Sequence, residues 1–342
     1  MTITLDDFLK LRHQLPAVDV RSEGEYAEGH IQKVANIPIL NNEERKAVGT
    51  DYKQKGQKEA IKTGFRLVGP RIESMVNEAE KLADGKELLV HCWRGGMRSN
   101  NFCQFIGIAG VKSHQLIGGY KTYRQRAVES FELPFQLMVI GGKTGSGKSE
   151  VLRQLKNEGE QILDLETLAN HKGSVFGGLM LSAQPTTEQF QNNLFEEILG
   201  LDIAKRIWVE DESIAIGKIF LPNPFWRSLR SGPVFRIDVP KEIRIQRLVQ
   251  EYGHSDKQEF LNAMEKITRK LGGQHFSAAK EKWLADDAAS AIDILLNYYD
   301  KAYGNGLEKR ENLVSPPINW DGSDASTCAH HLIQSANELQ RA

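Results

Sequence analysis

Several features are scarce in this sequence, and each scarcity excludes something. No apolar run approaches the roughly 18 residues that a membrane-spanning helix needs, so nothing reads as crossing a bilayer. Cysteine occurs only at Cys92, Cys103 and Cys328, an odd number spaced far apart. That argues against a disulfide framework and for a reducing compartment. The formal net charge is −1, so no global field draws the protein onto nucleic acid, and any polyanion must meet a local patch. The N-terminal stretch carries Asp6 and Asp7 and lacks the apolar region of a signal peptide, so the expected location is cytoplasmic. What is present is ordinary for a globular protein: 40% hydrophobic and 26% charged residues in a chain of 342, long enough for two domains with separate cores.

The most informative stretch is Leu88-Leu89-Val90-His91-Cys92-Trp93-Arg94-Gly95-Gly96-Met97-Arg98-Ser99. A buried strand is expected to end at Cys92, followed by a Gly- and Arg-rich turn and then a helix. A lone cysteine after an apolar run is ordinarily buried and inert. Here the helix N-terminus and the two arginines would both lower a thiol pKa and hold an anion beside it. Cys92, Arg94 and Arg98 are therefore candidate catalytic residues. Trp93, Gly95, Gly96 and Met97 complete the anion-holding loop.

Upstream, Asp19-Val20-Arg21 follows a strand, and Gly29-His30-Ile31 precedes Ala35-Asn36-Ile37-Pro38. With the cysteine loop, these motifs resemble the rhodanese superfamily. Arg21 and His30 are supporting residues; a surface ion pair of Arg21 with Glu25 would contribute little, and His30 reads as a structural hydrogen-bonder rather than a catalyst.

A second anion loop follows. Phe135 to Ile140 reads as a strand, and Gly142-Lys143-Thr144-Gly145-Ser146-Gly147-Lys148-Ser149 completes the P-loop pattern before a helix. Its glycines let backbone N–H groups wrap a phosphate, Lys148 reaches the terminal phosphate, and Ser149 is placed to ligate Mg²⁺. Downstream, Ile207-Trp208-Val209-Glu210-Asp211-Glu212 is an apolar strand ending in acids. Glu210 or Asp211 is placed there to orient a metal-bound water, against a reading as plain surface acids. Residues 234–240 and the helix bearing Arg244 and Arg247 resemble the late strand and helix of small-molecule kinases.

Two stretches carry competing readings. Residues 41–72 hold eight cations, among them Lys53, Lys62 and Arg66, and read either as a solvated face or as contact with a polyanion or the other domain. Gly118 to Arg126 interleaves Tyr120 and Tyr123 with Lys121, Arg124 and Arg126. That pattern suits RNA, where rings stack on bases, and equally suits an amphipathic linker helix.

The order of the parts, a rhodanese-like domain over residues 1–126 and a P-loop domain over residues 134–342, resembles the bacterial tRNA 2-selenouridine synthase family. The match rests on Asp19 to His30, His91 to Ser99, Gly118 to Arg124 and Gly142 to Ser149. The resemblance implies two α/β domains, the second a P-loop NTPase-like or kinase-like fold with a parallel sheet. It also implies a transferase acting on the wobble uridine, position 34 of tRNA. In that activity 2-thiouridine is S-geranylated by geranyl diphosphate, then the S-geranyl group is exchanged for selenium from selenophosphate. Cys92 would take up selenium as a perselenide or assist its transfer, and the P-loop would cradle diphosphate. The implied partners are tRNA, selenophosphate and geranyl diphosphate, with no membrane, no tightly bound cofactor and no dedicated metal site; Mg²⁺ beside the phosphates is compatible. The pattern His91-Cys92-x-x-Gly95-x-x-Arg98-Ser99 also matches cysteine-dependent phosphatases. A P-loop small-molecule or RNA kinase carrying a rhodanese module is the other alternative.

Overall fold

The computed structural model describes residues 1–310 and 313–341. The chain divides into two compact units, Met1–Ser130 with Gln191–Glu196, and Phe131–Phe190 with Glu197–Ala342.

In chain order the first unit contains β1 (Thr2–Ile3), α1 (Leu5–Leu11), β2 (Ala17–Asp19), α2 (Glu23–Glu28), β3 (Ala35–Asn36), α3 (Asn42–Lys55), α4 (Gln57–Val68) and α5 (Ile72–Ala83). It continues with β4 (Leu88–His91), α6 (Met97–Ile108), β5 (Ser113–Leu116) and α7 (Gly119–Ser130). Its strands form one parallel sheet in the order β1-β5-β4-β2-β3. β4 is buried along its whole length, the reason it reads as an unbroken apolar run before His91. Capping boxes start α2 (Ser22 with Glu25) and α3 (Asn41 with Glu44), each pairing amides that the helix leaves open.

Most of the charge-rich stretch 41–72 forms α3 and α4, joined at Gly56, and its cations other than Arg71 stand exposed, as a solvated face requires. The same helices also have an inner side: Ala60 and Val68 of α4 are buried, and Val48 of α3 packs on the unit's core. Gly118 to Arg126 is no RNA-stacking surface. Tyr120 and Tyr123 are fully buried, and the Tyr123 hydroxyl donates to Glu196 at 2.7 Å. The amphipathic helix is the reading that holds, because its rings face the core at helical spacing.

The second unit begins with β6 (Gln136–Gly142), α8 (Lys148–Asn157), β7 (Gln161–Leu163) and α9 (Leu165–Ala169). After α10 (Thr187–Leu199), whose middle belongs to the first unit, come β8 (Arg206–Glu210), β9 (Ala215–Ile216), β10 (Ile219–Phe220), α11 (Asn223–Ser231), β11 (Val234–Asp238) and α12 (Lys241–Tyr252). The remainder is α13 (Lys257–Glu265), α14 (Thr268–Leu271), α15 (Gly273–Leu284), α16 (Ala288–Glu308), β12 (Ile318–Asn319) and α17 (Ala325–Arg341). The sheet is again parallel, in the order β12-β11-β6-β8-β7, and β9 and β10 make a separate antiparallel hairpin. Helix α16 runs well past Tyr299, where the apolar stripe stops; Gly304 and Gly306 weaken its local propensity without ending it. Cys328 lies in the core of this unit with Trp208 and Leu152.

Each sheet places its middle strand, β4 or β6, so that the chain leaves its carboxyl end through a glycine-bearing loop into a helix N-terminus. In parallel α/β sheets that is where ligands bind. No helix among the described residues is long and apolar enough to cross a membrane.

Candidate active site

In the first unit β4 delivers Cys92 to the base of the loop, buried with 3% of its surface exposed. Its Sγ lies 3.2 Å from the Ser99 hydroxyl. Gln115 donates to both Ser99 Oγ and the Gly95 carbonyl at 2.8 Å. The start of α7 holds the loop from the other side: the amides of Tyr120 and Lys121 donate to the carbonyls of Cys92 (2.8 Å) and Trp93 (2.9 Å). This close approach requires glycine at position 119, with φ at +61°. A Cβ there would come within 2.3 Å of the Cys92 carbonyl oxygen and 2.5 Å of the Gly95 nitrogen.

The two loop arginines differ. Arg94 is exposed and has no ion-pair partner among the described residues. Arg98 forms a two-point pair with Glu25, at 2.6 and 3.3 Å, and Glu25 also meets Arg45 at 2.8 Å. Burial pushes the Glu25 carboxyl up, but the Arg98 hydrogen bond and charge, with Arg45, outweigh it and hold Glu25 below the usual carboxylate range.

Arg21 is buried and does not meet Glu25. It clamps Asp19 through Nε and Nη2 at 2.8 and 2.7 Å and donates to the Gly29 carbonyl. Its guanidinium carbon lies 3.8 Å from the Tyr120 ring centre. His91 is fully buried, with Nδ1 3.7 Å from Asp19. Burial lowers its pKa more than Asp19 raises it, so the imidazole is neutral. His30 stacks on Tyr26 at 4.0 Å, and its Nδ1 lies 3.0 Å from the Tyr26 carbonyl oxygen. Arg21 thus reaches the Cys92 loop through the Trp93 and Tyr120 rings and His91 through Tyr120, whereas His30 packs on Tyr26 of α2.

In the second unit the P-loop rims a polar cavity of about 520 Å³. Gly145 and Gly147 take φ values of +80° and +76°, and a Cβ at Gly142 would meet Ser146 Oγ at 2.5 Å. Lys148 folds over the loop and donates to the Gly142 carbonyl at 3.4 Å. Ser146 Oγ is buried with no hydrogen-bond partner of its own. Lys143 and Thr144 sit near Arg244: Arg244 reaches the Thr144 carbonyl at 3.3 Å, and Lys143 and Arg244 share Asp300.

The acids sort differently from the sequence reading. Glu210 is wholly buried, accepts the Leu165 amide at 3.1 Å, and is pushed well above its usual pKa by burial, then by Asp164 and Glu166. Asp211 lines the cavity but is tied to Arg310 at 2.7 Å and Arg230 at 3.3 Å. The acids that converge beside the loop are Glu166 and Glu212. Ser149 Oγ donates to Glu166 at 2.7 Å, and a Cβ on Gly173 would meet both carboxyl groups. Glu212 is pushed up to about 8, by burial first and then by Glu166, with Lys148 opposing. Sequence reasoning passed over both. Their signal was present: Glu166 lies just past the end of β7 and Glu212 just past β8, the carboxyl ends that face a ligand in such sheets. No group of three or more His, Cys, Asp or Glu side chains among the described residues is arranged to hold a metal unaided.

A thiol-bearing anion loop on one parallel sheet and a P-loop on another define an α/β enzyme with a rhodanese-like domain and a P-loop domain. Family models agree: residues 4–126 match the Rhodanese-like domain, and residues 135–332 match the tRNA 2-selenouridine synthase AAA domain. Proteins named tRNA 2-selenouridine synthase align along nearly their full lengths. That of Nitrosomonas europaea is 30% identical over 90% of this chain and 92% of its own. That of Hydrogenovibrio crunogenus is 32% identical over 92% and 96%, and that of Bdellovibrio bacteriovorus 34% over 89% and 92%. The chain belongs to the tRNA 2-selenouridine synthase family.

Proposed function

We propose that this chain converts 2-thiouridine at the tRNA wobble position to 2-selenouridine in two steps, one for each anion loop. The observation that carries the reading is the pairing of a thiol-bearing loop with a P-loop whose cavity is polar and thiol-free.

In the first step the uridine sulfur attacks the first carbon of geranyl diphosphate. A C–S bond forms, the C–O bond breaks, diphosphate leaves and the uridine N3 proton is released. Lys148, the Ser146 hydroxyl and the oriented loop amides stabilise the charge growing on the leaving diphosphate. Ser149, Glu166 and Glu212 are hard oxygen donors that fit a Mg²⁺ ion accompanying that diphosphate, which would supply charge neutralisation.

In the second step the Cys92 loop holds selenophosphate, with Arg94 as its available cation. Selenium is not carried on Cys92 as a perselenide, because making S–Se from a thiolate and selenophosphate needs a two-electron oxidant. The balanced alternative has Cys92 Sγ attack phosphorus: an S–P bond forms, the P–Se bond breaks and hydrogen selenide leaves. Selenide adds to C2 of the S-geranylated uridine and geranylthiol departs; water then cleaves the S–P bond to give phosphate. The phosphatase-sized spacing from Cys92 to Arg98 suits a phosphoryl centre.

Incubation with 2-thiouridine tRNA, geranyl diphosphate and selenophosphate, followed by nucleoside mass analysis, tests the reading. Cys92→Ala is expected to keep geranylation and lose selenation by about 100-fold or more, and Lys148→Ala to lose geranylation. Full selenation by Cys92→Ala would remove the thiol from the mechanism.

A further inference from the structure

Gln115 of β5 stands behind the Cys92 loop. Parallel pairing sets it beside Val90 of β4, and Val90 packs in the same core cluster as Cys92. Neighbours across a sheet share a face, so the Gln115 side chain is turned to the side of the sheet that carries the thiol. Its amide nitrogen lies 2.8 Å from two oxygens, the Gly95 carbonyl and the Ser99 hydroxyl. A carbonyl only accepts, so the nitrogen of the amide, not its oxygen, must face Gly95. Both N–H groups are then spent on these two oxygens, and Ser99 Oγ is an acceptor toward Gln115.

That direction leaves the proton of Ser99 for another partner. Two acceptors lie within its reach, each at 3.2 Å: the Gly96 carbonyl and Cys92 Sγ. The Gly96 carbonyl already takes the Asn100 amide at 3.0 Å. A thiolate is the stronger acceptor, because a hydrogen bond to a full charge is roughly twice as strong as a neutral one. Ser99 is wholly buried, so solvent does not screen the contact. Donation from Gln115 polarises the hydroxyl and strengthens the bond that the hydroxyl gives in turn.

We infer that Gln115 is a positioning residue that acts through Ser99, aiming the Ser99 proton at the Cys92 sulfur and so stabilising the thiolate. The inference rests on the reading of Cys92 as the group that takes the phosphoryl group from selenophosphate. The thiolate appears twice in that sequence. It is first the nucleophile that forms the S–P bond. It returns when water cleaves that bond and sulfur departs with the bonding pair. The Gln115–Ser99 relay meets the negative sulfur both times.

Gln115→Met keeps the length of the side chain and removes both donors. Iodoacetamide alkylation of the full-length protein, followed over a pH series by the mass of the Cys92 peptide, reads the thiolate. On the acid limb of the profile, where the rate follows the thiolate fraction, Gln115→Met is expected to be slower than wild type by about fivefold or more. On the high-pH plateau it is expected to be no slower. Ser99→Ala removes the intermediary, and in that background Gln115→Met should change the acid limb by less than about twofold. Ser99→Thr keeps the hydroxyl and should keep the dependence on Gln115. Gln115→Asn, which draws the same amide back from both oxygens, makes the comparison if the methionine variant does not fold. A profile that neither variant alters overturns the proposal. So does an equal loss with and without the Ser99 hydroxyl, or a loss at every pH, which would make Gln115 only a strut for the Gly95 carbonyl. Alkylation needs no selenophosphate, so the relay can fail while selenation proceeds, and it can be upheld even where the nucleoside assay finds no selenation.

Discussion

Arg98 Nη1 lies 2.6 Å from Glu25 Oε2, a contact between residues 73 apart in sequence that ties the first turn of α6 to α2. The same Glu25 caps α2 through Ser22. The loop arginine is therefore a fastening for the Cys92 loop as well as a charge beside it.

Replacing Arg98 by alanine leaves Glu25 half-buried with only the exposed Arg45 to meet it. The expected loss is about 1–2 kcal/mol, below the figure for a fully buried pair because solvent screens this one. Glu25 has a depressed folded-state pKa, so its contribution is present above the ordinary carboxylate pKa and is lost as pH falls through the lower folded value. The difference between wild type and Arg98→Ala in urea unfolding should thus be full at pH 7 and shrink in acid. A difference that does not vary with pH would show that the pair does not hold the loop.

The parts that could be read from the sequence are local. Leu88 to Ser99 and Phe135 to Ser149 each contain strand, loop and helix start within one short window, so pattern alone places Cys92 and Lys148. Partners brought together by the fold could not be read. The spacing suggests Arg21 with Glu25, four residues on, whereas the fold gives Arg21 to Asp19 and Glu25 to Arg98. The apolar side of α3 and α4 was hidden for another reason. Lysine and arginine dominate the composition there, and Ala60, Ile61, Phe65 and Val68 reveal an apolar face only when read at helical spacing.

Tyr123 tests the corrected reading of Gly118 to Arg126. Its ring is buried and its hydroxyl donates to Glu196, so it has no face to offer a base. Tyr123→Phe removes one hydrogen bond to a carboxylate that Arg12 still holds at two points, so stability should fall by about 1 kcal/mol. Affinity for tRNA, measured by filter binding at fixed salt, should be unchanged within about twofold, against the roughly 1–3 kcal/mol lost when a stacking ring is removed. A loss of tRNA affinity of that size would restore the RNA-contact reading.

Gly119→Ala probes the loop itself. The added methyl collides with the Cys92 carbonyl and the Gly95 amide, and the residue must also hold φ at +61°. Strain of about 1–3 kcal/mol is expected, relieved by displacement of the Cys92 loop. Selenation should fall while geranylation, assigned to the other unit, continues. Equal loss of both in folded protein would contradict the division of labour between the two loops.

Glu212 gives a pH signature of opposite sign to that of Glu25. Its folded-state pKa is raised to about 8, first by burial and then by Glu166, so the folded protein holds a proton that the unfolded chain releases near the ordinary glutamate value of 4.5. Where the folded state binds more protons, stability falls as pH rises, and here the fall spans the interval from that ordinary value up to about 8. Glu212→Gln keeps the shape and removes the charge. In metal-free buffer the difference from wild type should be least below the ordinary value of 4.5 and Glu212→Gln should be the more stable at pH 8, by an amount that grows across the interval. Urea unfolding at a series of pH values reads this directly. Equal stability of the two proteins at pH 8 would mean that Glu212 ionises normally and that the Glu166–Glu212 pair shares no proton.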